Sequence, residues 1–270
     1  MKSNNLNFIP VVNSRRGFLH RIALGVAGIS VFFDQILFGE EQSTKDGDGE
    51  KEQRSKKKKK PEFEPIIDDP NLPRVILIGG SNSIGYTLPV RELLKGKANV
   101  HRPPDNCGDT NKGLKYIEKW LGTGKWDVIH FNWGSHDLKY APEETPEKGD
   151  VPKVPVEQYR KNMEELVKRM KATGAKLIFA TTMPYPDGLT PVRIPEDATR
   201  YNAAALEVMK KYEVSIDDLY TFVLPRLKEL QRPHNVHFLH EGYQALAGHV
   251  AESVQKALNP EEHTSEKSDK

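Results

Sequence analysis

Short apolar runs alternate with longer amphipathic stretches between residues 74 and 258 of this chain. The runs predict five strands, at Arg74–Gly79, Ala98–His101, Asp127–Asn132, Lys176–Thr181 and Val214–Ile216. From Val156 to Met170, and again from Tyr243 to Val254, apolar residues recur at helical spacing. Helices also fill the other gaps between strands. This alternation of strands and helices predicts a parallel sheet with helices on both faces.

The expected fold is therefore a three-layer α/β/α domain with a flavodoxin-like, doubly wound sheet of five parallel strands. In such sheets, sites form at the carboxyl ends of the strands. Two long loops with several prolines follow strands, at Tyr140–Pro155 and Met183–Asp197, and we expect them to shape a substrate site. Asp187, Arg193 and Arg200 in and after the second loop could bind a charged substrate, but solvated loop charges are the default interpretation.

The first 39 residues have the pattern of an export signal. An uncharged, mostly apolar run from Ile22 to Phe33 is too short to span a bilayer comfortably, but it suits a signal peptide. The arginines Arg15 and Arg16 that precede it resemble the bacterial twin-arginine signal. We therefore expect a periplasmic or extracellular location. Gly28-Ile29-Ser30 is a weak cleavage match, and an uncleaved segment would tether the protein to the membrane.

Composition divides the remainder of the chain. With 37% hydrophobic and 29% charged residues, the 270-residue chain is too polar to be folded throughout. Residues 40–73 mix acidic residues with a run of lysines and predict a disordered charged linker. The domain is then 74–258, with a disordered tail at 259–270. The net charge of +2 gives no reason to propose a nucleic-acid partner. The single cysteine, Cys107, excludes a disulfide within the chain.

A serine and a histidine lie where the predicted fold would bring them together. Ser81 follows the first strand in the turn Gly79-Gly80-Ser81, beside the positive end of the next helix. His237 enters the last helix, which can return to the end of the first strand. Serine needs a base to accept its proton, so this pair is the minimum for nucleophilic catalysis. Taken alone, Ser81 could equally be a helix N-cap.

Four segments together resemble the sequence blocks of SGNH (GDSL-like) hydrolases. The turn at Ser81 is similar to the first block, Asn106-Cys107-Gly108-Asp109 to the second, Gly134-Ser135-His136-Asp137 to the third, and the segment around His237 to the last. The resemblance implies an ester hydrolase that acts through an acyl-serine, with Ser81 as nucleophile and His237 as base. It also implies an oxyanion hole that includes the Gly108 amide.

The chain departs from the family pattern at three positions. Gly80 replaces the usual aspartate before the serine, and His136 stands at the asparagine of the third block. A neutral imidazole can still donate an N–H, and Asn132 is a further donor, so we assign both to the oxyanion hole. His234 replaces the usual aspartate before the histidine, and Asn235 is the next residue. We assign the orienting role to Asn235, with His234 or a backbone carbonyl as alternatives.

Two other interpretations of these motifs fail on particular residues. The glycine-rich turn and Asn132-Trp133-Gly134 resemble short-chain dehydrogenases, but none of the 9 tyrosines has the required lysine four residues later. The spacing of His234, His237 and His240 could suit a metal, but no cysteine nearby completes a ligand set. We predict no metal and no cofactor.

The sequence thus predicts a serine ester hydrolase that acts on a carbohydrate or small-acyl ester. The resemblance favours acetyl groups on carbohydrates, small acyl esters or lipids, and export favours polysaccharides. The alternative is an impaired SGNH-like domain that binds a glycan or a protein partner, since an amide cannot stabilise an imidazolium as a carboxylate does.

Overall fold

The computed structural model describes residues 60–140 and 151–259, which contain one parallel sheet of five strands. The strands are β1 Arg74–Ile78, β2 Asn99–His101, β3 Val128–Phe131, β4 Lys176–Ala180 and β5 Ser215–Asp217. Their order in the sheet is β2-β1-β3-β4-β5, and every neighbouring pair is parallel. This is the flavodoxin-like order, so the predicted fold is confirmed. Each predicted strand is present, and its ends differ from the prediction by at most one residue.

Helices cover both faces of the sheet. They are α1 Ser81–Leu93, α2 Thr110–Leu121, α3 Val156–Lys171, α4 Pro195–Lys211, α5 Leu219–Val223, α6 Leu227–Leu230 and α7 His240–Leu258. Side chains of α2, α3 and α4 form one buried cluster, and those of α1, α5 and α7 form the other. Successive side chains of β1 alternate between the clusters: Ile76 and Ile78 join the first, and Val75 and Leu77 the second. None of the helices in the described residues is long and apolar enough to cross a membrane.

The second predicted substrate loop is shorter than expected. Helix α4 begins at Pro195, inside the predicted loop Met183–Asp197. Proline at the first helical position has a φ angle already set for a helix, and Glu196 and Asp197 favour the positive helix end. In the first predicted loop, residues 151–155 are described and residues 141–150 lie outside the described part of the chain.

Part of the predicted linker contacts the domain. Residues 60–73 pack on the domain through polar contacts, for example from the carboxylate of Asp68 to Arg74 Nε at 2.7 Å and to His101 Nε2 at 2.6 Å. Asp69 N–H donates to Asn99 Oδ1 at 3.0 Å. The contacts of Asp68 with His101 and of Asp69 with Asn99 join residues at least 30 positions apart, so the polar composition of the segment did not reveal them. The predicted export signal, most of the predicted linker and residues 260–270 lie outside the described residues.

The strand order places a crevice beside β1. The chain passes from β1 to the edge strand β2 and then to β3 on the other side of β1, which makes this the topological switch point of the sheet. The last helix, α7, packs along α1, and Gly85 allows the close approach. A Cβ atom at residue 85 would lie only 2.2 Å from the Tyr243 ring. This packing brings the start of α7 close to the start of α1.

Candidate active site

Ser81 is the first residue of α1, directly after the turn that ends β1. Gly80 is the N-cap, and no side chain caps this helix, so Ser81 is not the capping residue. Gly79 is needed for the tight turn because a Cβ there would lie 2.9 Å from Ser83 Cβ and Oγ. The N–H groups of the first helical turn lack intrahelical acceptors, and the positive end of the helix dipole lies at Ser81.

His237 lies in a tight loop before α7, not in the last helix as expected. Gln231 and Phe238 form an isolated antiparallel bridge, and Arg232 N–H donates to His237 O at 3.0 Å. Asn82, the residue after Ser81, fastens this loop to α1 by donating from Nδ2 to Val236 O at 3.1 Å. The sequence analysis gave no role to Asn82. Its position beside the nucleophile was the only feature of the sequence that could have indicated one.

The structure brings Ser81, His237 and Asn235 into one hydrogen-bonded chain. His237 Nε2 lies 2.9 Å from Ser81 Oγ, and His237 Nδ1 lies 2.8 Å from Asn235 Oδ1. The backbone N–H of His237, which can only donate, also points to Asn235 Oδ1 at 2.9 Å. That atom must therefore be the amide oxygen, and Nδ1 must carry a proton to donate to it. The lone pair of Nε2 then faces the Ser81 hydroxyl.

Partial burial lowers the pKa of His237 below its usual value of 6.5, and the positive charges of Arg232 and Arg193 lower it further. The imidazole is therefore neutral at pH 7. A neutral imidazole can accept the serine proton, so the protonation state agrees with the geometry.

His234, the alternative orienting residue, lies elsewhere. Its Nδ1 is 2.9 Å from the carbonyl oxygen of Asp187, and its side chain is exposed. His240 is the exposed first residue of α7. Among residues 60–140 and 151–259, no group of three His, Cys, Asp or Glu side chains is placed to hold a metal ion.

A small pocket adjoins Ser81, and it contains all three predicted oxyanion residues. It is lined by Gly80, Ser81, Asn82, Gly108, Asn132, Trp133, Gly134, Ser135 and His136. The Gly108 N–H donates to Asn106 Oδ1 at 2.9 Å, so an oxyanion at this amide would replace the Asn106 carbonyl. Asn132 Nδ2 donates one N–H to Ala180 O at 2.7 Å, and an amide nitrogen has a second N–H to offer.

Gly80 and His136, two of the positions that depart from the family pattern, lie next to each other. A Cβ atom at Gly80 would lie 3.2 Å from Cδ2 and 3.3 Å from Nε2 of His136. An aspartate at position 80 would therefore crowd this imidazole, and glycine makes room for it. Burial lowers the pKa of His136 to about 4, helped by Arg193, Lys139 and Lys153. His136 is neutral at pH 7 and has one N–H to donate.

Asp137 connects the two loops that form this pocket. Its Oδ1 accepts from Thr110 N–H at 2.8 Å and from the Thr110 hydroxyl at 2.6 Å. Burial raises the pKa of Asp137 to about 7. These contacts fix the loop that carries Gly108 to the loop that carries His136, so Asp137 positions donors without reaching Ser81 itself.

The three charged residues in and after the second predicted loop, Asp187, Arg193 and Arg200, differ in their exposure. Arg200 is exposed and pairs with Asp197 at 2.7 Å, as the default interpretation of solvated charges expects. Asp187 is also exposed. Arg193 is buried, at 8% exposure, so for this residue the default interpretation is wrong.

Comparisons with known proteins identify the family of this chain. Residues 60–245 match the model of the GDSL-like Lipase/Acylhydrolase family. A search of curated proteins found no match. Among solved structures, a lipase/acylhydrolase from Enterococcus faecalis superposes with a TM-score of 0.55 at 21% identity, over 67% of this chain and 95% of that one. An acetylxylan esterase from Geobacillus stearothermophilus gives 0.55 at 17% identity, over 67% and 93%. A GDSL-like lipase from Bacteroides thetaiotaomicron gives 0.52 at 14%, over 68% and 88%.

At these identities the solved structures establish the fold, while the family model covers well over half of the chain. The chain therefore belongs to the GDSL-like lipase/acylhydrolase family, whose members are hydrolases that act on ester bonds.

Proposed function

We propose that this protein is a serine esterase that removes short acyl groups from a carbohydrate or another small alcohol through an acyl-serine intermediate. The observation that carries the proposal is the continuous contact from Ser81 Oγ through His237 to Asn235, at 2.9 and 2.8 Å. Serine, histidine and an orienting acceptor in this order form the relay that serine hydrolases use.

In the first half of the reaction, Ser81 Oγ attacks the carbonyl carbon of the ester while His237 Nε2 takes the hydroxyl proton. The carbonyl oxygen becomes an oxyanion, for which the pocket offers N–H groups of the α1 terminus, Gly108, Asn132 and His136. The C–O bond to the alcohol then breaks, and His237 gives its proton to the leaving oxygen. The acyl group is left on Ser81.

In the second half, a water molecule attacks the acyl-serine, and His237 accepts its proton. The bond between Ser81 Oγ and the acyl carbon breaks, the proton returns to Ser81, and the carboxylic acid leaves. Asn235 holds the imidazole in the required tautomer throughout. As a neutral amide, it stabilises the transient imidazolium less than a carboxylate would.

The size of the pocket supports a short acyl group. The pocket is shallow and narrow: the centre of a water-sized molecule has about 10 Å³ to move in, which is enough for about one water. An acetyl methyl or carbonyl group fits that space better than a long acyl chain. The acetylxylan esterase among the similar structures supports an acetylated polysaccharide as one candidate substrate.

The test is hydrolysis of 4-nitrophenyl acetate by the full-length protein. We expect Ser81→Ala to lower kcat/KM by about 10³-fold or more, because no other group supplies the nucleophile. Mass spectrometry of the acid-quenched wild type should show one acetyl group on the peptide that contains Ser81. Ser83→Ala is the matched control: Ser83 Oγ donates to Gly80 O in the same turn, and its loss should leave most of the activity.

Equal rates in the wild type and Ser81→Ala would refute the proposal. If the wild type also bound acetylated xylan without turnover, and Ser81→Ala bound it equally well, the domain would be a binding module.

A further inference from the structure

Arg193 is a buried cation in contact with Ser135, one of the residues that line the Ser81 pocket. It lies in the loop before α4, and only 8% of its surface is exposed. Its Nε donates to Ser135 O at 2.8 Å, and Ser135 lines the pocket together with Ser81. Its Nη1 donates to Pro191 O at 3.1 Å. The guanidinium is therefore held by backbone carbonyls in a fixed place beside the site.

In the described part of the chain, no carboxylate pairs with Arg193. The titratable side chain that acts on Arg193 is that of Tyr185, whose ring centre lies 5.9 Å from the guanidinium carbon. Burial raises the pKa of Tyr185 to about 12, so this phenol is neutral at pH 7 and supplies no charge. Burying a cation without an anionic partner costs free energy. An anionic ligand that binds at Arg193 would offset this cost.

Among the described residues, several further positive charges act on the histidines of the site. Lys139 and Lys153 act on His136 together with Arg193, and Arg232 acts on His237. Among the charges that act most strongly on His136, the acidic one is Asp109, and Lys153 Nζ lies 2.6 Å from its carboxylate. An anionic substrate would be attracted to this surface.

We propose that Arg193 binds a carboxylate of the ester substrate, so that this enzyme prefers esters of acidic compounds over their neutral analogues. A guanidinium offers a planar pair of N–H donors that matches a carboxylate, which favours this anion. The carboxylate could belong to a uronic acid in an acetylated polysaccharide or to a small acid. This inference rests on the proposed esterase activity.

The test compares two matched pairs of substrates with the full-length protein. The small pair is 4-acetoxybenzoate and its neutral methyl ester, with rates corrected for their hydroxide-catalysed hydrolysis. The polymeric pair is acetylated polygalacturonate and acetylated xylan. We expect the wild type to prefer the anionic member, and Arg193→Gln to lower the ratio of anionic to neutral kcat/KM by about tenfold or more. Arg193→Lys keeps the charge and should restore part of the ratio.

Lys256→Gln is the control for a general loss of positive charge. Lys256 lies near the end of α7, and Lys176 at the start of β4 donates to the neighbouring Ala257 O at 2.7 Å, which places Lys256 at the opposite edge of the sheet. Its removal should leave the ratio unchanged. Because both members of a pair share the same ester chemistry, a purely structural effect of Arg193→Gln would lower both rates equally.

The outcomes separate the two proposals. Serine-dependent hydrolysis without preference for the anionic ester, or an equal fall of both rates in Arg193→Gln, would overturn the role of Arg193 and leave the esterase intact. If the protein hydrolysed none of these esters, both the esterase activity and the role of Arg193 would be refuted. A preference confined to the polymeric pair would identify a uronic acid polymer as the source of the carboxylate, and one confined to the small pair a small acid.

Discussion

Asn235 holds the position from which a carboxylate usually acts on a catalytic histidine. Its Oδ1 accepts both the backbone N–H and the Nδ1–H of His237, at 2.9 and 2.8 Å. An aspartate could accept the same two hydrogen bonds without changing the tautomer. What the amide lacks is the negative charge that stabilises the imidazolium formed during attack.

We therefore expect Asn235→Asp to raise kcat for 4-nitrophenyl acetate by about tenfold or more, since the reverse change in a serine protease costs about 10⁴-fold. The added charge should also raise the pKa of His237. Because the base must be neutral, the acidic limb of the profile of kcat/KM against pH should lie below pH 6.5 in the wild type. It should move to higher pH in the variant.

His234→Asp is the matched control for this prediction. The exposed His234 contacts Asp187 O rather than His237, so a carboxylate there should change neither kcat nor the pH profile. A gain in His234→Asp with none in Asn235→Asp would assign the orienting role to position 234. A change in neither variant would indicate a backbone carbonyl or a more distant acid.

At the scale of elements, one buried carboxylate joins β5 to β3 and α7. Asp217 Oδ2 lies 2.8 Å from His130 Nε2 on β3, and Asp217 Oδ1 lies 2.6 Å from His249 Nδ1 on α7. Burial alone would raise the pKa of Asp217, but the hydrogen bonds from the two histidines outweigh it and hold the pKa at about 2. The bond to Asp217 raises the pKa of His249 above 6.5.

We expect Asp217→Asn to lower the free energy of unfolding by about 3 kcal/mol or more at pH 6. The reason is that the substitution removes the buried carboxylate charge to which both histidines bond. A lowered carboxyl pKa stabilises the fold above about pH 4, and this contribution is lost as pH falls toward 2. A raised histidine pKa stabilises the fold below pH 6.5, and this contribution is lost as pH rises through the folded-state value. The difference between wild type and variant should therefore be largest between about pH 4 and 6.5.

Urea denaturation across this pH range would measure the difference. Asp218→Asn is the control, because the neighbouring Asp218 is exposed and caps α5, a role that asparagine also fills. A difference that stays constant from pH 3 to 8 would show that the charge of Asp217 does not contribute.

At the scale of the whole molecule, the domain is stabilised without a covalent link in the described residues. Its one cysteine, Cys107, is buried and free, and two apolar clusters on the faces of the sheet supply the core. Such a protein can fold completely in a reducing compartment. This property suits the twin-arginine route, which carries folded proteins, and we propose that route for this chain.

We expect replacement of Arg15 and Arg16 by lysines to retain the full-length protein in the cytoplasm, since the paired arginines are the feature that resembles the signal. Cell fractionation with immunoblotting would measure its location. Arg21→Lys, which lies outside the pair, should not alter export. Export of the double variant, or export in cells that lack the twin-arginine translocase, would contradict the proposal.

The sequence by itself determined the elements and the principal pair of the site. Strand and helix positions depend on the periodicity of neighbouring residues, so the strand ends and the limits of α3 were predicted to within one residue, and the predicted helical stripe from Tyr243 to Val254 lies inside α7. The predicted strand–helix alternation also placed Ser81 and His237 at the same edge of the sheet. Both depend on local patterns together with the general rules of parallel sheets.

Only the tertiary structure decided the remaining features. It showed that Gly80 makes room for His136, buried Arg193 without a carboxylate partner among the described residues, and packed residues 60–73 against the domain. Each of these outcomes depends on atoms that are far apart in sequence and close in space. Burial and contact at that distance leave no periodic signal in the chain, which is why residue types alone did not predict them.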